Sequence, residues 1–575
     1  MNGAEVLVEM LKRYQVETIF GVPGDTSIPL YDALHAASSS ITHILARDER
    51  SSAFMADTYA RLSHKPGVCE CPSGAGPLYI LPGVAEADAS SIPLLVFTSD
   101  IPLAGEGKKT ITELDCQKLF EPVTKWSYLV KDIARLPEII RRAFRVATTG
   151  RPGAVHLAFP QEVLSSEFPG QDMDLYSEEE CQTYPAYRTR GSRAKLEQVC
   201  SLLMQAKRPV LIAGGGTNHS QASEEILELA EILKSPVVTT ISGQGIMPDE
   251  HELALGVIGD NGYHPHAHQA VEEGDVLLYV GCKLGSVSTI KWTLPSFKPE
   301  RKILQIDLDP ELLSNNYKNA ISVAGDAKLV LRDLVSLLHI NAFQAELSAW
   351  VDELNGLRSK FWQESAQSFR AGSIPLKPQQ VIYSLNQRLQ DPAIVIADAG
   401  TPTPYITRFL KLTHSESNFI IPRAYGGLGF AIPALVGAHS ACPGAYLIGL
   451  FGDGSLGMSA GELETLSRLQ IPAILIHFNN GSFGWIKALQ SLHSQEKYFS
   501  VDFTPGDPAM VARGFGVQAL TVKTPQDLEA GLDQAFAGPG PVFLDVLSES
   551  EVSEMPPVFS WERAARKHKK PEVHT

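Results

Sequence analysis

Two neighbouring stretches decide the fold: AYLIGLFGDGSLGMSAGELETL at residues 445–466 and AILIHFNN at residues 473–480. Each contains an apolar run of strand length, and the segment between the two runs has a helical pattern. Ser459 and Glu462 have the spacing of a capping box, so we expect a helix from about Ser459 to Gln470. Strand, helix and strand in this order predict a βαβ unit in a parallel sheet.

Polar residues follow both of these predicted strands. Asp453 stands between Gly452 and Gly454, and Asn480 ends the second stretch. Because the carboxyl ends of parallel strands form the ligand-binding edge of a sheet, we expect these side chains to converge. A carboxylate and an amide oxygen suit Mg²⁺, and the glycines would let phosphate oxygens approach main-chain amides. Gly-Asp-Gly alone would indicate only a turn, but the two motifs in this order, 24 residues apart (455–478), favour a cation site.

Composition narrows the class of protein. The 575 residues include 44% hydrophobic and 20% charged residues, as expected for a globular protein. A net charge of -16 disfavours nucleic acid and anionic membranes as partners. The seven cysteines are scattered, which favours free thiols in a reducing compartment. The N-terminus has no apolar signal segment, and no run reaches the roughly 20 residues that span a bilayer, so we expect a cytoplasmic protein.

Strand and helix patterns alternate along almost the whole chain, which predicts an α/β architecture with parallel sheets. A polar stretch near residues 165–195 and a charged helical segment near 341–380 resemble connections between units. We therefore expect three domains with doubly wound parallel sheets, followed by a tail: residues 1–165, 190–342, 375–552 and 553–575.

The Gly-Asp-Gly and Asn-Asn motifs, with their spacing, resemble the fingerprint of thiamin diphosphate-dependent enzymes. In that family the acid and the second Asn hold the metal bound to the diphosphate. The resemblance implies that Asp453, Asn480 and the backbone carbonyl of Ser482 bind Mg²⁺. It also implies that the third domain binds the diphosphate, that the first binds the aminopyrimidine of a partner subunit's cofactor, and that the central domain is Rossmann-like.

The stretch ILARDERSSAFMADTYAR at residues 44–61 resembles the strand, glutamate and helix of the family's first domain. The resemblance implies that Glu49 protonates the aminopyrimidine ring, a role that requires a raised pKa. An acid at a helix N-terminus is the alternative, worth about 0.5 kcal/mol. Asp48 is the better candidate for that structural role.

Further stretches resemble turns that contact the cofactor in the family: FGVPGD, CPSGAG, DAGTPTPY and YGGLGFAIPALVGAH. The family's bulky residue that supports a bent cofactor corresponds to Leu428. With the two motifs above, the resemblance implies these cofactor-binding residues: Pro23, Gly24, Ser73, Gly74, Gly400, Thr401, Gly426, Leu428, Gly452, Gly454, Ser455, Phe483, Gly484 and Trp485. Since Glu49 and Asp453 would then act on one cofactor from different chains, it implies a homodimer or homotetramer with active sites between subunits.

By overall pattern the chain is most similar to acetolactate synthase large subunit-like proteins. The resemblance implies decarboxylation of a 2-oxo acid followed by carboligation to a second carbonyl. A simple decarboxylase that releases an aldehyde, a flavin-linked oxidase and a catalytically silent relative with a structural or regulatory role are the alternatives. The His-His pair of pyruvate decarboxylase-type enzymes is absent from the first domain.

Several positions depart from the acetolactate synthase pattern. Ile111-Thr112-Glu113 replaces a Phe-Gln-Glu loop, and Tyr79 replaces an Asn. The segment WIKALQ replaces one in which Met, Arg and Trp shape the pocket of the second substrate. These departures nominate four residues for the substrate pocket: Thr112, Trp485, Lys487 and Leu489.

Two features of the second unit could bind ligands. GYHPHAHQ contains His264, His266 and His268, which we interpret as a loop with partly exposed histidines rather than a metal site. AGGGTNHS after a strand could admit a dinucleotide, and acetolactate synthases bind FAD in this domain. However, it lacks a full G-x-G-x-x-G, and CKLGSVST replaces the family's Arg-Phe-Asp-Asp stretch. FAD is therefore compatible with the sequence but not predicted.

Overall fold

The computed structural model describes residues 1–169, 174–346, 348–370, 372–390, 392–412 and 418–568. They form three six-stranded sheets in which all neighbouring strands are parallel, with helices packed on the sheets. The predicted α/β class with three parallel-sheet units is confirmed. Over these described residues, no helix is both long and apolar enough to cross a membrane.

The first unit is built on strands whose apolar residues are covered on both faces, as parallel sheets require. Its strands are β1 (Thr18–Gly21), β2 (Thr42–Leu45), β3 (Gly67–Cys71), β4 (Leu94–Asp100), β5 (Trp126–Leu129) and β6 (Ala154–Pro160). Its helices are α1 (Gly3–Arg13), α2 (Ile28–Ala36), α3 (Glu49–Ser63), α4 (Ala75–Ala89), α5 (Cys116–Phe120), α6 (Leu136–Thr148) and α7 (Gln161–Ser165). The strand order is β2-β1-β3-β4-β6-β5.

The second unit repeats this architecture. Its strands are β7 (Pro209–Ala213), β8 (Val237–Thr239), β9 (Ala254–Val257), β10 (Val276–Val280), β11 (Lys302–Asp307) and β12 (Ile321–Ala324), in the order β12-β11-β10-β7-β8-β9. Its helices are α8 (Arg193–Gln205), α9 (Gly215–His219), α10 (Ser223–Leu233), α11 (Pro265–Glu273) and α12 (Ala327–Ile340). The helix α13 (Ala349–Arg370) leads to the third unit.

The third unit contains both the Gly-Asp-Gly and the Asn-Asn stretches. Its strands are β13 (Ala393–Ala397), β14 (Asn418–Ile420), β15 (Tyr446–Gly452), β16 (Ala473–Asn479), β17 (Gln518–Val522) and β18 (Val542–Leu547), in the order β14-β13-β15-β16-β18-β17. Its helices are α14 (Pro378–Asn386), α15 (Pro402–Phe409), α16 (Ala431–Ala441), α17 (Asp453–Ser459), α18 (Glu462–Arg468), α19 (Gly484–His493), α20 (Pro508–Gly514), α21 (Pro525–Ala537) and α22 (Phe559–His568). The last helix lies within the segment 553–575 expected as a tail.

The sheet order of the third unit determines which loops can meet. The strands β13, β15, β16 and β18 are consecutive neighbours, with Gly452 opposite Phe478 and Asn479 opposite Leu547. Because these strands are parallel, the loops that follow all four emerge at one edge of the sheet.

The helices α3 and α16 join the first unit to the third. Phe54 and Phe430 pack edge to face with ring centroids 5.1 Å apart. A Cβ at Gly437 would overlap the carbonyl group of Met55, so glycine allows the two helix backbones to approach closely.

The capping box predicted at Ser459 is wrong, although the helix predicted after it is present as α18 (Glu462–Arg468). Ser459 is the last residue of α17, and its hydroxyl donates to the carbonyl of Ser455 at 3.1 Å. The Glu462 carboxylate instead accepts from the backbone N–H of Arg47 at 2.9 Å and the hydroxyl of Thr465 at 2.6 Å. This contact with the first unit occupies the carboxylate that a capping box would use.

The interpretation of the three histidines as a partly exposed loop is also wrong. His264 precedes α11, His266 and His268 lie within it, and all three are buried. The ring of His268 stacks on Tyr263 at 4.7 Å and meets Phe559 edge to face at 5.1 Å. These aromatic contacts bury the imidazoles, and burial lowers the pKa of His268 to about 4.

Candidate functional site

A cavity of about 450 Å³ opens at the carboxyl edge of the third sheet. Every third-unit residue predicted to bind cofactor or metal lines it: Gly400, Thr401, Gly426, Leu428, Gly452, Asp453, Gly454, Ser455, Asn480, Ser482, Phe483, Gly484 and Trp485. Asn261, Arg423, Tyr425 and Glu551 also line the cavity, and none of these four was predicted.

Asp453 begins α17 directly after β15. One carboxylate oxygen, Oδ2, accepts from the backbone N–H of Asn480 at 3.0 Å and of Gly481 at 3.2 Å. The other, Oδ1, lies 3.6 Å from Nε2 of the buried His477. A negative charge at the first residue of a helix is favourable, and the two hydrogen bonds hold the loops after β15 and β16 together.

The side chain of Asn480 is fixed at both ends of its amide. Its Oδ1 accepts from the backbone N–H of Ser482 at 3.2 Å and from the Ser482 hydroxyl at 2.8 Å. Its Nδ2 donates to both carboxylate oxygens of Glu551 at 2.9 Å. The amide orientation follows from these partners, since a carboxylate accepts and a backbone N–H donates.

The donors at this edge fit a hard divalent cation that carries phosphate. A carboxylate, an amide oxygen and backbone carbonyls are the oxygen ligands that Mg²⁺ prefers. Gly400 and Gly481 have positive φ angles of 104° and 67°, and no atom lies within 4 Å of a Cβ built on either, so the backbone there is open to a ligand. Within the described ranges, this site included, no three His, Cys, Asp or Glu side chains are grouped to hold a metal, so the ligands here would be one carboxylate together with amide and backbone oxygens.

Asp398 positions the loop that contains Leu428. This buried carboxylate follows β13 and accepts from the backbone N–H groups of Gly429, Phe430 and Ala431 at 3.0, 3.2 and 3.1 Å. Burial raises the pKa of Asp398 to about 6, although the three N–H donors act in the opposite direction. Asp398 was not among the predicted site residues, although its place directly after a predicted strand could have indicated this role.

Glu551 is the second acid that sequence reasoning missed. It lies in the turn after β18, is 2% exposed, and accepts from the hydroxyl of Thr401 at 2.6 Å as well as from Asn480. A Cβ at Gly484 would overlap the Glu551 carboxylate. Burial raises the pKa of Glu551, whereas the hydrogen bonds from Thr401 and Asn480 lower it.

The predicted residues of the first unit form a separate cluster at the carboxyl edge of their own sheet. The Ser73 hydroxyl donates to the Thr112 hydroxyl at 2.8 Å. Gly74, with φ 81°, contacts Thr112, and Gly24, which follows Pro23, packs against Pro72. Among the described residues that line the third-unit cavity, none comes from the first unit.

Glu49 is the first residue of α3 and is half-buried. Its neighbour Asp48 is the helix N-cap and accepts from the backbone N–H of Arg50 at 2.8 Å. Burial is the largest cause that raises the pKa of Glu49, and the negative charges of Asp48 and Glu70 raise it further. The structure therefore assigns the capping role to Asp48, and the Glu49 carboxyl does not cap the helix.

The four substrate-pocket candidates do not lie together. Trp485 lines the cavity and packs against Trp561 of α22, with ring centroids 4.3 Å apart. The ammonium group of Lys487 donates to Asp502 at 2.6 Å, and Leu489 packs in the cluster around Trp561. Of the candidates on α19, only Trp485 faces the cavity.

A second cavity, of about 340 Å³, lies between the first and second units, and Arg423 and Ala424 of the third unit also line it. Its lining includes Gly214 and Gly216 from AGGGTNHS and Cys282 and Lys283 from CKLGSVST. A Cβ at Gly214 would overlap the carbonyl of Gly281, and one at Gly216 would lie 2.7 Å from the Gly281 Cα. Close packing between the two loops thus accounts for Gly214 and Gly216.

Family comparisons cover most of the chain. Three models of thiamine pyrophosphate enzymes match: the N-terminal TPP binding domain at residues 1–119, the central domain at 196–334 and the C-terminal TPP binding domain at 398–546. Each model corresponds to one of the three parallel-sheet units.

Individual relatives match over nearly their full length. The chain is 34% identical over 556 residues to the "Probable acetolactate synthase large subunit" of Methanocaldococcus jannaschii, covering 95% of this chain and 92% of the relative. It is 33% identical to the protein of the same name from Methanococcus aeolicus, covering 97% and 94%. It is 31% identical to the "Acetolactate synthase large subunit" of Haemophilus influenzae, covering 96% and 95%. The chain therefore belongs to the family of thiamine pyrophosphate (thiamin diphosphate) enzymes.

Proposed function

We propose that this protein is a thiamin diphosphate- and Mg²⁺-dependent carboligase of the acetolactate synthase type. It decarboxylates a 2-oxo acid and joins the remaining acyl unit to a second carbonyl compound. The observation that carries the proposal is the convergence of Asp453, Asn480 and Ser482 in one cavity between glycine-rich loops. Full-length similarity to acetolactate synthase large subunits supports the choice of reaction.

The loops of the third unit would hold the diphosphate and its cation. The Asp453 carboxylate, the amide oxygen of Asn480 and the backbone carbonyl of Ser482 would bind Mg²⁺. Gly452 and Gly400 would leave room for phosphate oxygens beside backbone amides, whereas the space at Gly454 is filled by the ring of Phe483.

The residues around the reacting atoms have separate roles. When bound, thiamin diphosphate would supply a carbon nucleophile for the 2-oxo carbonyl and a thiazolium ring that accepts the electron pair left by CO₂. The Glu49 carboxyl would donate a proton to the aminopyrimidine ring, and its raised pKa favours the protonated form that this requires. Leu428 would support the bent cofactor, and Phe483 and Trp485 would shield the site from water.

The active site would be shared between two subunits. Glu49 and the cluster of Pro23, Gly24, Ser73, Gly74 and Thr112 would face the third-unit cavity of a second copy. We therefore propose a homodimer or homotetramer with a small 2-oxo acid as substrate. All seven cysteines are free, which supports a reducing compartment such as the cytoplasm.

A simple decarboxylase that releases an aldehyde is the second candidate. The observation that favours it is the ion pair between Lys487 and Asp502, because this lysine is then not free to bind the carboxylate of an acceptor. A flavin is not part of either proposal, since packing between loops explains the glycines that suggested one.

The test is turnover of a panel of 2-oxo acids by the full-length protein with thiamin diphosphate and Mg²⁺, followed by mass spectrometry. Acetohydroxy acids or other acyloins would support carboligation, and aldehydes alone would support the simple decarboxylase. The Glu49→Gln variant is the control, because it keeps the side-chain shape but cannot supply the carboxyl proton. No product from any acid, or equal product from the variant, would contradict the proposal.

A further inference from the structure

One buried carboxylate, Glu551, contacts both loops that would hold the diphosphate. It accepts from the Thr401 hydroxyl in the loop after β13 at 2.6 Å. It also accepts from Nδ2 of Asn480 in the loop after β16, at 2.9 Å to each oxygen. Those loops follow strands that are not adjacent, since β15 lies between them. Glu551 thus connects loops that the sheet itself does not connect.

The contact with Asn480 determines where its amide oxygen points. The oxygen and nitrogen of an amide lie on opposite sides of one carbon, so a partner that binds the nitrogen also sets the direction of the oxygen. With Nδ2 on Glu551, Oδ1 turns toward Ser482, the other residue expected to bind the cation. If the amide rotated by half a turn, its oxygen would face a carboxylate, and the two acceptors would repel each other.

We propose that Glu551 is a positioning residue for the cation site. It holds the Asn480 amide with its oxygen toward the cation, and it fixes the Thr401 hydroxyl in the neighbouring diphosphate loop. This inference rests on the proposed function, because it assumes that Asn480 is a metal ligand. Partners of metal ligands commonly affect metal affinity about 10–100-fold.

The packing around Glu551 leaves little freedom for the carboxylate. The residue is 2% exposed, and Gly484 at the start of α19 has no Cβ, which is what leaves space for the carboxylate oxygens. A buried carboxylate without partners would be costly, yet both oxygens here have hydrogen-bond donors.

The experiment measures Mn²⁺ binding by electron paramagnetic resonance, with thiamin diphosphate present and no substrate. Mn²⁺ takes the same oxygen ligands as Mg²⁺. The Glu551→Ala variant removes both acceptors, and we expect its Mn²⁺ dissociation constant to rise at least tenfold. Glu549→Gln, in the same turn, is the matched control and should bind within twofold of wild type.

A reciprocal exchange separates positioning from general stability. Asn480→Asp alone would set two carboxylates against each other and should weaken Mn²⁺ binding. Adding Glu551→Gln supplies a side-chain amide that can donate to the new carboxylate, so the double variant should bind at least tenfold more tightly than Asn480→Asp. If Glu551 only stabilised the fold, the double variant would bind Mn²⁺ no more tightly than Asn480→Asp.

The outcomes distinguish this inference from the proposed function. If wild type binds Mn²⁺ with thiamin diphosphate, but Glu551→Ala binds equally well or the double variant shows no recovery, the inference is overturned while the proposed function stands. If wild type binds neither ligand, the proposed function fails, and the inference fails with it. Thermal unfolding of each apoprotein variant verifies that the fold is retained.

Discussion

At the residue scale, the two carboxylate oxygens of Asp453 have different contacts. One oxygen accepts from two backbone N–H groups of the next loop, and the other lies 3.6 Å from Nε2 of the buried His477. The site therefore depends on the charge of this group as well as on its shape.

The variant Asp453→Asn tests this dependence. The amide keeps the shape but removes the charge, and its NH₂ group cannot accept from the backbone of Asn480 and Gly481. We expect the Mg²⁺ concentration needed for half-maximal binding of thiamin diphosphate to rise more than tenfold. Isothermal titration calorimetry at several Mg²⁺ concentrations measures this, and a shift of less than twofold would contradict the assigned role.

Local sequence predicted some site residues and not others. Asp453 and Asn480 could be predicted because each directly follows an apolar strand, which is enough to position it at the ligand-binding edge. Glu551 could not, because it stands four residues beyond β18 and its importance depends on the sheet order β13-β15-β16-β18. The ion pair of Lys487 could not be predicted, because its partner, Asp502, lies in a loop whose path does not follow from the sequence.

At the scale of elements, the crossing of α3 and α16 sets how the first unit meets the third. Gly437 allows this crossing because its missing Cβ leaves room for the carbonyl of Met55. The helix α16 also starts at the backbone N–H groups held by Asp398, so its position affects the loop of Leu428.

The variant Gly437→Ala should separate the two helices. We expect it to destabilise the protein by about 1–3 kcal/mol, as overpacking does in cores. The matched control is Gly356→Ala on α13, an exposed helical glycine with no atom within 4 Å of a built Cβ. That substitution should stabilise by about 0.5–1 kcal/mol. Calorimetry that found the two variants equally stable would contradict this account of the packing.

Most strands that were not predicted from the sequence lie at the edge of a sheet. Among the described strands, the apolar runs of the sequence did not predict β5, β6, β9, β12, β14 and β17, and all of these except β6 are sheet edges. An edge strand is covered on fewer sides, so it needs no continuous apolar run; β12, for example, has only one buried residue. Apart from β6, the central strands have such runs and were predicted, as was the edge strand β2. The short helix α17 was not predicted, and the capping box at Ser459 was wrongly predicted because Glu462 is bound by another unit.

At the scale of the whole molecule, each proposed active site needs residues from two chains. The first-unit cluster with Thr112 lies on a different sheet from Asp453, and the described lining of the third-unit cavity contains no first-unit residue. The resemblance to thiamin diphosphate enzymes predicted this sharing, whereas composition and periodicity could not.

Subunit mixing tests the shared site. Glu49→Gln and Asp453→Asn should each be inactive alone. In a mixed dimer, one site receives both altered residues and the other receives neither. Random subunit exchange should therefore restore about a quarter of wild-type activity. Mixing that restores no activity, although exchange is demonstrated with tagged subunits, would indicate that each site lies within one chain.

The proposed mechanism depends on activation of thiamin diphosphate by Glu49. The most direct test of this role is the exchange of the cofactor's C2 proton with solvent deuterium. The rate is measured by NMR after rapid quenching, for wild type and Glu49→Gln, both saturated with thiamin diphosphate and Mg²⁺. Because a raised pKa keeps Glu49 protonated to a higher pH, wild-type exchange should fall as pH rises through that pKa. We predict that Glu49→Gln lowers the rate about 10²–10⁴-fold and removes this pH dependence. Equal exchange rates in the two proteins would contradict the account.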